Sequence, residues 1–387
     1  MDYQNSVREF NNARILSLLR RHSPLSRADI SRHTDLNRST VSSIVEDLLG
    51  AGFVREIGLR QVSTGRPSIM LEIDTDHYGV LGLDVLPDAI HITLSDLLGK
   101  TIWQHVVSHS ELSTGLETAL EMAYSRVSRC NLTPAGIGVA VSPDAPEIRI
   151  NRLLQRLSSQ PSVPVFVEEQ ARAATIGQRY LGQARDIENF VYLTIDEGPK
   201  AVFVIDGRIY RGSTDHAGNI AHLPTGTSDG ACRCGKQGCW NPKVNPESIT
   251  HRLQSDQPFK AVVEAAMNGD ERAHDEIRAM CQALGRGIAH IVSIVDPRMV
   301  VLGGCLSCLN AEHLHLIRAV ATHNTGQHPW SDIDITLIEE SDKVRHIGAI
   351  SLVLNHLYQD LVVLPRKPGT KQFTGNVRGA AVEAGGR

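Results

Sequence analysis

Cysteine and histidine lie close together among glycines in residues 216–240, which read HAGNIAHLPTGTSDGACRCGKQGCW. Thiolates and imidazoles are ligands that suit Zn²⁺, and one imidazole with three thiolates completes a tetrahedral shell. Because a complete shell leaves no position for water or a substrate, the pattern predicts a structural zinc site. Gly235 and Gly238 let the short loop turn back on itself. Free thiols in a loop are the alternative interpretation.

A second cysteine pair, Cys305-Leu-Ser-Cys308, directly follows the glycine turn of VVLGG. A zinc site built from such pairs needs a second pair, and none accompanies this one. We therefore interpret residues 305–308 as a loop of small residues.

Residues 26–48, SRADISRHTDLNRSTVSSIVEDL, have the pattern of two short helices joined by a tight turn. Ser26 with Asp29 resembles a capping box that starts the first helix, and Asn37 can cap the second. In the second helix the apolar residues recur at helical spacing and face inward: Val41, Ile44, Val45 and Leu48. The residues left outward near its start are one arginine and three short hydroxyls: Arg38, Ser39, Thr40 and Ser43. Such side chains reach base edges and phosphates from a helix in the major groove.

A basic hairpin follows the two helices. Residues 53–57 and 68–73 alternate like paired strands, and the loop between them holds Arg60 and Arg66. This pattern predicts the wing of a winged helix-turn-helix, with its arginines placed for backbone or minor-groove contact. Arg27, at the start of the first short helix, completes the predicted DNA contacts. A three-helix interaction module without a DNA role is the alternative.

A further helix is predicted over residues 6–21, before the two short helices. One face of it carries five apolar side chains: Val7, Phe10, Ile15, Leu18 and Leu19.

Charge is distributed unevenly along the 387 residues. Residues 5–68 hold ten arginines against six acids, whereas residues 69–364 hold 24 basic residues against 35 acids. This distribution indicates that the basic N-terminal module binds a polyanion and that the acidic body does not. The chain has no apolar run of membrane-spanning length and no signal peptide at its start, so we expect a cytoplasmic protein without a membrane partner. Its seven cysteines are then thiols or metal ligands.

From residue 78 onward, strand-like and helix-like segments alternate. The strands YGVLGLDVL and FVYLTI each begin a set of strands and helices. Two such halves predict a duplicated, actin-like (ribonuclease H-like) α/β body of ATPase type behind the winged helix. We predict a DNA-binding domain at 1–76, lobes at 77–185 and 186–364, and a disordered Gly-, Lys- and Arg-rich tail at 365–387.

The order of these motifs resembles the ROK family of bacterial repressors and sugar kinases. The matching segments are residues 11–56 with GRP, then IDGRIYRG, HAGNIAH, CRCGKQGC and IVDPRMVVLGG. The resemblance runs from about residue 7 to about residue 355. It implies a regulator with a winged helix on a sugar-kinase-like body, because the family's kinases lack the winged helix. It also implies four zinc ligands: His222, Cys232, Cys234 and Cys239.

Three parts of the family's kinase machinery are altered in this chain. Its kinases have Asp-x-Gly-Gly-Thr where residues 84–88 read Asp-Val-Leu-Pro-Asp, so glycines and an N–H donor are lost and a carboxylate faces the phosphate. The second phosphate loop reads DEGPKA at residues 196–201. The catalytic Asn-Asp pair falls on Glu169-Gln170, and glutamine cannot act as a general base. We therefore expect no enzyme activity and no catalytic residue.

The resemblance places effector contacts at five residues: Glu169, Gln170, Asn219, His222 and Asn241. Relative to the family's sugar binders, three carboxylates are amides and one amide is a carboxylate. Amides still donate and accept hydrogen bonds, so a polar ligand fits. The net loss of negative charge favours an anionic sugar derivative, and the absence of any effector is the alternative. Residues 142–165, which help to wall the sugar in the family, are also shortened here.

The sequence therefore predicts a ROK-type transcriptional regulator, a repressor of carbohydrate-related genes. Its expected partners are a double-stranded DNA operator and a sugar or sugar-derivative effector. We expect a homodimer or homotetramer, because one winged helix reads only a short half-site. The apolar helix around 281–295 packs either in the core or at a subunit interface. Two other functions stay open: a zinc-stabilised regulator that is gated by a protein partner or acts without a sugar, and a sugar kinase.

Overall fold

The computed structural model describes residues 3–60, 67–108, 112–145, 151, 153, 155–157, 163–195, 198–224, 232–325, 333–338 and 347–358. The predicted tail at 365–387 therefore lies outside the described residues. The chain divides into two compact units. Among the described residues, unit 1 holds 3–181 with 347–358, and unit 2 holds 182–338.

The N-terminal part of unit 1 is a winged helix-turn-helix. Its elements are α1 (Tyr3–His22), β1 (Leu25–Ser26), α2 (Arg27–Thr34), α3 (Arg38–Gly50), β2 (Val54–Arg60) and β3 (Ser68–Ile73). The three strands form an antiparallel sheet in the order β1-β3-β2. Asp35, at φ 54°, takes the left-handed conformation that ends α2. This break turns the chain so that α3 leaves in a new direction.

The apolar face predicted for α1 is only partly correct. Ile15 and Leu19 are fully buried, but Val7 and Phe10 are 42% and 58% exposed. Ala13 and Leu16 complete the buried face instead. The helix packs against α2, α3, β3 and a helix near the end of the chain, and those contacts select the face that is buried.

The rest of unit 1 is an α/β lobe with a five-stranded sheet in the order β6-β5-β4-β7-β8. Its elements are β4 (Tyr78–Val85), β5 (Ala89–Ser95), β6 (Thr101–Ser108), α4 (Leu112–Arg129), β7 (Thr133–Val141), β8 (Val165–Glu169), α5 (Gln170–Tyr180) and α11 (Ile347–Tyr358). β4, β5 and β6 are antiparallel, whereas β7 and β8 add to β4 in parallel.

Helix α11 lies directly on this sheet although it follows the predicted second lobe in sequence. Two strand glycines make the close approach possible. A Cβ at Gly138 would lie 1.8 Å from the carbonyl oxygen of Ala349, and one at Gly82 would lie 2.7 Å from Ile350. The predicted lobe at 186–364 included this helix, whereas the structure places it in unit 1.

Unit 2 repeats the same sheet plan in the order β11-β10-β9-β12-β13. Its elements are β9 (Phe190–Ile195), β10 (Pro199–Ile205), β11 (Arg208–Tyr210), α6 (Asn241–Val244), α7 (Pro246–Leu253), α8 (Phe259–Met267), α9 (Glu271–Val295), β12 (Met299–Gly304), α10 (Ala311–Thr325) and β13 (Asp334–Leu337). Again three strands are antiparallel and two add in parallel. Because both units have a five-stranded sheet with the same pattern of strand pairing, the structure confirms the duplicated sugar-kinase-type body.

The core of unit 2 forms around α9. Trp240 is fully buried and donates its indole N–H to the carbonyl of Ala283 at 3.0 Å. Gly287 leaves the room that the indole ring fills. Residues 281–295 therefore pack mainly in the core of this unit, with Ile294 exposed at the end of the helix.

Cys305–Cys308, interpreted from sequence as a loop, is a short 3-10 helix directly after β12. Among the described residues, no helix has both the length and the apolarity needed to cross a membrane.

Candidate DNA-binding surface and metal centre

Helix α3 presents its first turn to solvent. The Asn37 side chain caps the helix by accepting the backbone N–H of Thr40 at 2.8 Å. Arg38, Ser39 and Ser43 are exposed, and Thr40 is half-buried. The predicted inward face is confirmed, because all four of its apolar residues are buried: Val41, Ile44, Val45 and Leu48. This stripe fixes the rotation of α3, so the polar side faces outward.

Ser39 is exposed, but its side chain also makes a hydrogen bond within the protein. Its hydroxyl donates to Oδ1 of Asn37 at 2.7 Å, the same oxygen that caps the helix. The hydroxyl therefore helps to hold the start of α3, and two lone pairs remain for other donors.

Helix α2 is held by the predicted capping box, which the structure confirms. The Ser26 hydroxyl accepts the N–H of Asp29, and the Asp29 carboxylate accepts the N–H of Ser26. The bonds from Ser26 lower the pKa of Asp29, with a smaller contribution from the Arg32 guanidinium. The first turn of each of these two helices, α2 and α3, is therefore held by a side-chain cap.

The predicted DNA-contact arginines differ in their surroundings. Arg27 is largely covered and pairs with Glu56 at 3.3 Å. Arg60 is exposed at the end of β2, opposite Ser68 in the hairpin. Arg66 lies outside the described residues.

The predicted metal ligands come together in unit 2. One ligand atom each from His222, Cys232, Cys234 and Cys239 lies within 4.8 Å of the others. Nδ1 of His222 is 3.4 Å from Sγ of Cys232, and Sγ of Cys234 is 3.6 Å from Sγ of Cys239. Sulfur ligands about 2.3 Å from a tetrahedral zinc ion lie about 3.8 Å apart, so the donor types and their spacing fit Zn²⁺.

A short loop and a bridge position these four side chains. The N–H of Gly235 donates to the carbonyl of Cys232 at 2.9 Å, and the N–H of Cys232 donates to the carbonyl of Lys236 at 3.1 Å. Gly235 has φ +82°, a conformation that other residues rarely adopt. Cys239 pairs with Pro224 in an isolated bridge, which brings the histidine segment to the cysteines.

The thiols have unequal proton affinities. The backbone N–H of Lys236 is the main cause that lowers the pKa of Cys234. Desolvation, followed by the neighbouring Cys234 and Cys232 thiols, raises the pKa of Cys239 to about 11. Binding of a cation would displace these protons, because the thiolate is the metal-binding form.

Two of the predicted effector residues, Glu169 and Gln170, lie in unit 1 at the junction of β8 and α5. The Arg172 guanidinium pairs with Glu168 at 2.8 Å and with Glu169 at 3.0 Å, and all three side chains are largely buried. Gln170 donates its amide to the buried carboxylate of Asp84 at 3.2 Å. These contacts bind the two side chains into a polar network of the protein itself.

The turn between β4 and β5, which the resemblance aligns with the first phosphate turn of the kinases, is a tight hairpin. The N–H of Leu86 donates to the carbonyl of Ala89 at 2.9 Å, and Pro87 has no N–H. Asp88 is exposed in the same turn. The N–H of Leu86 is thus already used within the hairpin and Pro87 has none, so neither residue can donate a backbone hydrogen bond to a phosphate. In the second phosphate loop, Asp196 and Glu197 lie outside the described residues.

The other predicted effector residues lie in unit 2 near the metal ligands. Asn219 forms an isolated bridge with Lys200, and the N–H of Asn241 donates to the carbonyl of Ala221 at 2.9 Å. Oδ1 of Asn241 is buried, and no described group donates to it. A Cβ at Gly198 would lie 2.8 Å from this oxygen, so the glycine leaves room beside it.

Sequence reasoning missed a contact between the winged helix and the lobe of unit 1. The Arg20 guanidinium lies over the rings of Tyr180 and Tyr358, at 4.7 and 5.2 Å from their centroids. It also donates to the carbonyl of Tyr180 at 3.2 Å. The three residues are far apart in sequence, so no local pattern indicates this contact.

A winged helix joined to a duplicated sugar-kinase-type body is the class of protein that this fold defines. A model of the ROK family matches residues 81–356, most of the chain, and the protein belongs to that family. A model of the MarR family matches residues 9–59, which lie within the winged helix.

Individual relatives agree with this assignment. The xylose repressor of Caldicellulosiruptor bescii is 24% identical over 91% of this chain and 97% of its own length. The crystal structure of a ROK family transcriptional regulator, homologous to the MLC protein of E. coli, superposes with a TM-score of 0.76 at 20% identity, over 92% of this chain and 98% of its own. The ROK hexokinase of Thermus thermophilus gives a TM-score of 0.59 at 23% identity, over 70% of this chain and 97% of its own. Such structural likenesses show the fold alone.

Proposed function

We propose that this ROK protein is a DNA-binding transcriptional regulator that represses carbohydrate-related genes. The observation that carries the proposal is the exposed first turn of α3, held by a cap and by a buried apolar stripe on a ROK body. A relative aligned along nearly the whole chain is a xylose repressor. The operator is double-stranded DNA, with α3 in the major groove and the wing on the backbone.

Arg38 is the main base-contacting residue in this proposal. A guanidinium at the start of a recognition helix can donate two bonds to guanine, and such a contact contributes about 1–3 kcal/mol of discrimination. Ser39, Thr40 and Ser43 would contact phosphates or base edges, and Arg60 with Arg66 would contact the backbone from the wing. Arg27 would combine its ion pair to Glu56 with a phosphate contact. A homodimer or homotetramer would supply the second half-site.

The experiment is a genome-wide DNA footprint of the full-length protein, followed by binding to the recovered operator. We expect enrichment beside carbohydrate genes, and Arg38→Ala should weaken operator binding at least tenfold. Arg129→Ala, which removes an exposed arginine of α4, is the control and should bind as the wild type does. Recovery of no specific DNA, or equal binding by Arg38→Ala, would contradict the proposal.

We propose a structural zinc ion at His222, Cys232, Cys234 and Cys239. When bound, the ion cross-links two chain segments, and its four protein ligands leave no open position for chemistry. The residues of this chain hold the loop in place: Gly235 makes the turn, and Cys239 is anchored by the bridge to Pro224. The site thus stabilises the face of unit 2 that carries Asn219 and Asn241.

We infer that the protein does not transfer phosphate. Gln170 replaces the general base and donates to Asp84, and the N–H of Leu86 is used within its own hairpin. A coupled ADP-release assay across pentoses and hexoses checks this. We expect no sugar-dependent turnover, and turnover that tracks the enzyme concentration would refute the inference.

We infer that the effector is a neutral sugar rather than the anionic derivative that the loss of carboxylates favoured in the sequence. Asp84, Glu168 and Glu169 are three buried or nearly buried acids, and Arg172 pairs with two of them. An anion placed there would be repelled, whereas the hydroxyl groups of a sugar can donate to these carboxylate oxygens. Thermal-shift screening should show stabilisation by a neutral sugar. Stabilisation by sugar phosphates alone would reverse the inference.

A further inference from the structure

Two thiols lie one turn apart at the end of β12. Cys305–Cys308 forms a 3-10 helix directly after this strand. Gly304, the last residue of β12, pairs in parallel with Ile195, the last residue of β9. Both cysteines are half-buried, and neither belongs to the four-residue metal cluster. The pair therefore lies at the carboxyl edge of two parallel strands of unit 2, and the proposed function uses neither thiol.

The geometry of this turn suits a disulfide bond between the two cysteines. Residues i and i+3 of a 3-10 helix are eclipsed, and three steps of about 2.0 Å place their Cα atoms about 6 Å apart. A disulfide joins Cα atoms that are about 4.4–6.8 Å apart. In an extended loop the same two residues would be about 10 Å apart, which is too far. The turn therefore meets this requirement without a change of backbone.

Neighbouring contacts hold the turn in this register. Leu306, between the cysteines, is fully buried in the core of unit 2. The Ser307 hydroxyl donates to the carbonyl of Gly304 at 2.8 Å, and the N–H of Leu309 donates to the carbonyl of Leu306 at 3.0 Å. The two cysteines are therefore held one turn apart, which raises the effective concentration of each thiol beside the other.

Both sulfur atoms have contacts that oxidation can replace. Sγ of Cys308 donates to the carbonyl of Cys305 at 3.0 Å, so it lies against the same turn. Sγ of Cys305 donates to the carbonyl of Ile195 at 2.8 Å, at the end of β9. Thiols are weak donors, so the loss of these bonds costs little. Oxidation of the pair would remove the contact between the turn and Ile195.

A third cysteine, Cys281 of α9, differs from the pair in its surroundings. It is fully buried in the core of unit 2. Desolvation, with a smaller contribution from Cys308, raises the pKa of its thiol to about 12. Because the thiolate is the attacking form and a small disulfide must reach it, Cys281 is unreactive where the half-buried Cys305 and Cys308 can be attacked.

We propose that Cys305 and Cys308 form a redox-active thiol pair whose oxidant is a small organic disulfide such as glutathione disulfide. The thiolate of one cysteine attacks a sulfur of glutathione disulfide, which forms a mixed disulfide and releases one glutathione thiolate. The thiolate of the other cysteine then attacks the protein sulfur of this mixed disulfide and releases the second glutathione. The two protons of the cysteine thiols pass to the two glutathione thiolates, and two electrons pass from the protein to glutathione.

The test follows oxidation of the full-length protein in buffers with a rising ratio of glutathione disulfide to glutathione. Acid stops the exchange, N-ethylmaleimide alkylates the remaining thiols in denaturant, and mass spectrometry measures the tryptic peptide 299–318, which carries both cysteines. We expect this peptide to lose two hydrogen atoms at a ratio at least tenfold lower than the ratio that modifies Cys130, a single half-buried thiol of unit 1. The measurement needs neither DNA nor a sugar, so its outcome is independent of the proposed function.

Single variants test the two steps of the exchange. Cys308→Ser should keep one glutathione on Cys305, because the thiol that resolves the mixed disulfide is gone. Cys130→Ser is the control, and its pair should oxidise as that of the wild type does. Four results would overturn the proposal: a wild-type pair that stays reduced, oxidation only at the ratio that modifies Cys130, a stable glutathione adduct on the wild-type pair, or a disulfide from either cysteine to Cys281 in the wild type or the variant.

Discussion

Glu169 and Gln170 fall where the resemblance predicts the catalytic pair of a ROK kinase, and both side chains make contacts within the protein. The Gln170 amide donates to Asp84, and Glu169 pairs with Arg172. An amide in place of the catalytic carboxylate cannot accept the proton of a sugar hydroxyl. In our proposal both residues can still contact a ligand, and what this chain lacks is the general base for phosphate transfer.

The metal site gives the first prediction at the residue scale. Cys239→Ser should remove bound zinc, because it deletes a buried thiolate ligand of the cluster. A loss of about 3 kcal/mol would lower the thermal midpoint of a unit of this size by roughly 6–12 °C. Metal content by mass spectrometry and thermal unfolding check both effects. Cys130→Ser, at a half-buried cysteine outside the cluster, is the control. Unchanged zinc content in Cys239→Ser would exclude the site.

His313 gives a pH-dependent prediction. Burial lowers the pKa of this imidazole, and its Nδ1 accepts the N–H of Asn310 at 3.2 Å at the start of α10. At pH values between the lowered folded pKa and about 6.5, the imidazole is therefore protonated in the unfolded chain and neutral in the folded one. Its contribution to stability is present above the unfolded pKa of about 6.5 and is lost as the pH falls toward the lowered folded pKa.

Urea unfolding at pH 7.5 and pH 5.5 measures this effect. His313→Gln keeps an acceptor for Asn310 without a titrating group, so it should lose less stability than the wild type between the two pH values. An equal loss in both proteins would show that other groups cause the pH dependence.

At the scale of elements, α5 joins the proposed effector residues to the winged helix. It begins at Gln170 and ends at Tyr180, where Arg20 of α1 covers the ring and bonds to the carbonyl. Eleven residues of helix span about 16 Å. A rigid element of this kind can carry a change from one end to the other, and Arg20 contacts its last residue, Tyr180.

Arg20→Met should loosen the winged helix from the lobe of unit 1. Two cation–π contacts and one charged hydrogen bond are lost, together about 2 kcal/mol, which corresponds to roughly 30-fold. Hydrogen exchange should therefore speed up at least tenfold in α1–α3, while β4 and β5 exchange as before. Arg129→Met is the matched control. Equal acceleration in the winged helix and the sheet would mean general destabilisation instead.

At the scale of the whole molecule, unit 1 is closed by a helix from the far end of the chain. Gly138 has no room for a side chain, because a Cβ there would lie 1.8 Å from the carbonyl oxygen of Ala349 in α11. Gly138→Ala should force α11 away from the sheet and cost about 1–3 kcal/mol or more. Chemical denaturation measures the loss. Gly50→Ala, where no atom lies within 4 Å of the new methyl group, should leave the stability equal or slightly higher.

Much of the winged helix and of the metal centre could be predicted from the sequence. The caps at Ser26 and Asn37, the inward stripe of α3 and the ligand cluster at 222–239 all depend on residues that are near one another in the chain. The face of α1 could not be predicted in full. Its apolar residues fit more than one face, and partners from distant segments decided which one is buried.

The sequence by itself determined the class of protein, the capped helix-turn-helix and the chemistry of the cysteine loop, because each follows from local spacing and residue type. Only the tertiary structure decided that Phe10 is exposed, that α11 belongs to unit 1 and that Arg20 lies between two tyrosines. It also decided that Gln170 bonds to Asp84. These features join residues that are 86 to 338 positions apart or depend on such contacts, as Asp84 with Gln170 and Arg20 with Tyr358 show. Such pairs meet only when the sheets and helices have packed, because burial and not sequence order selects them.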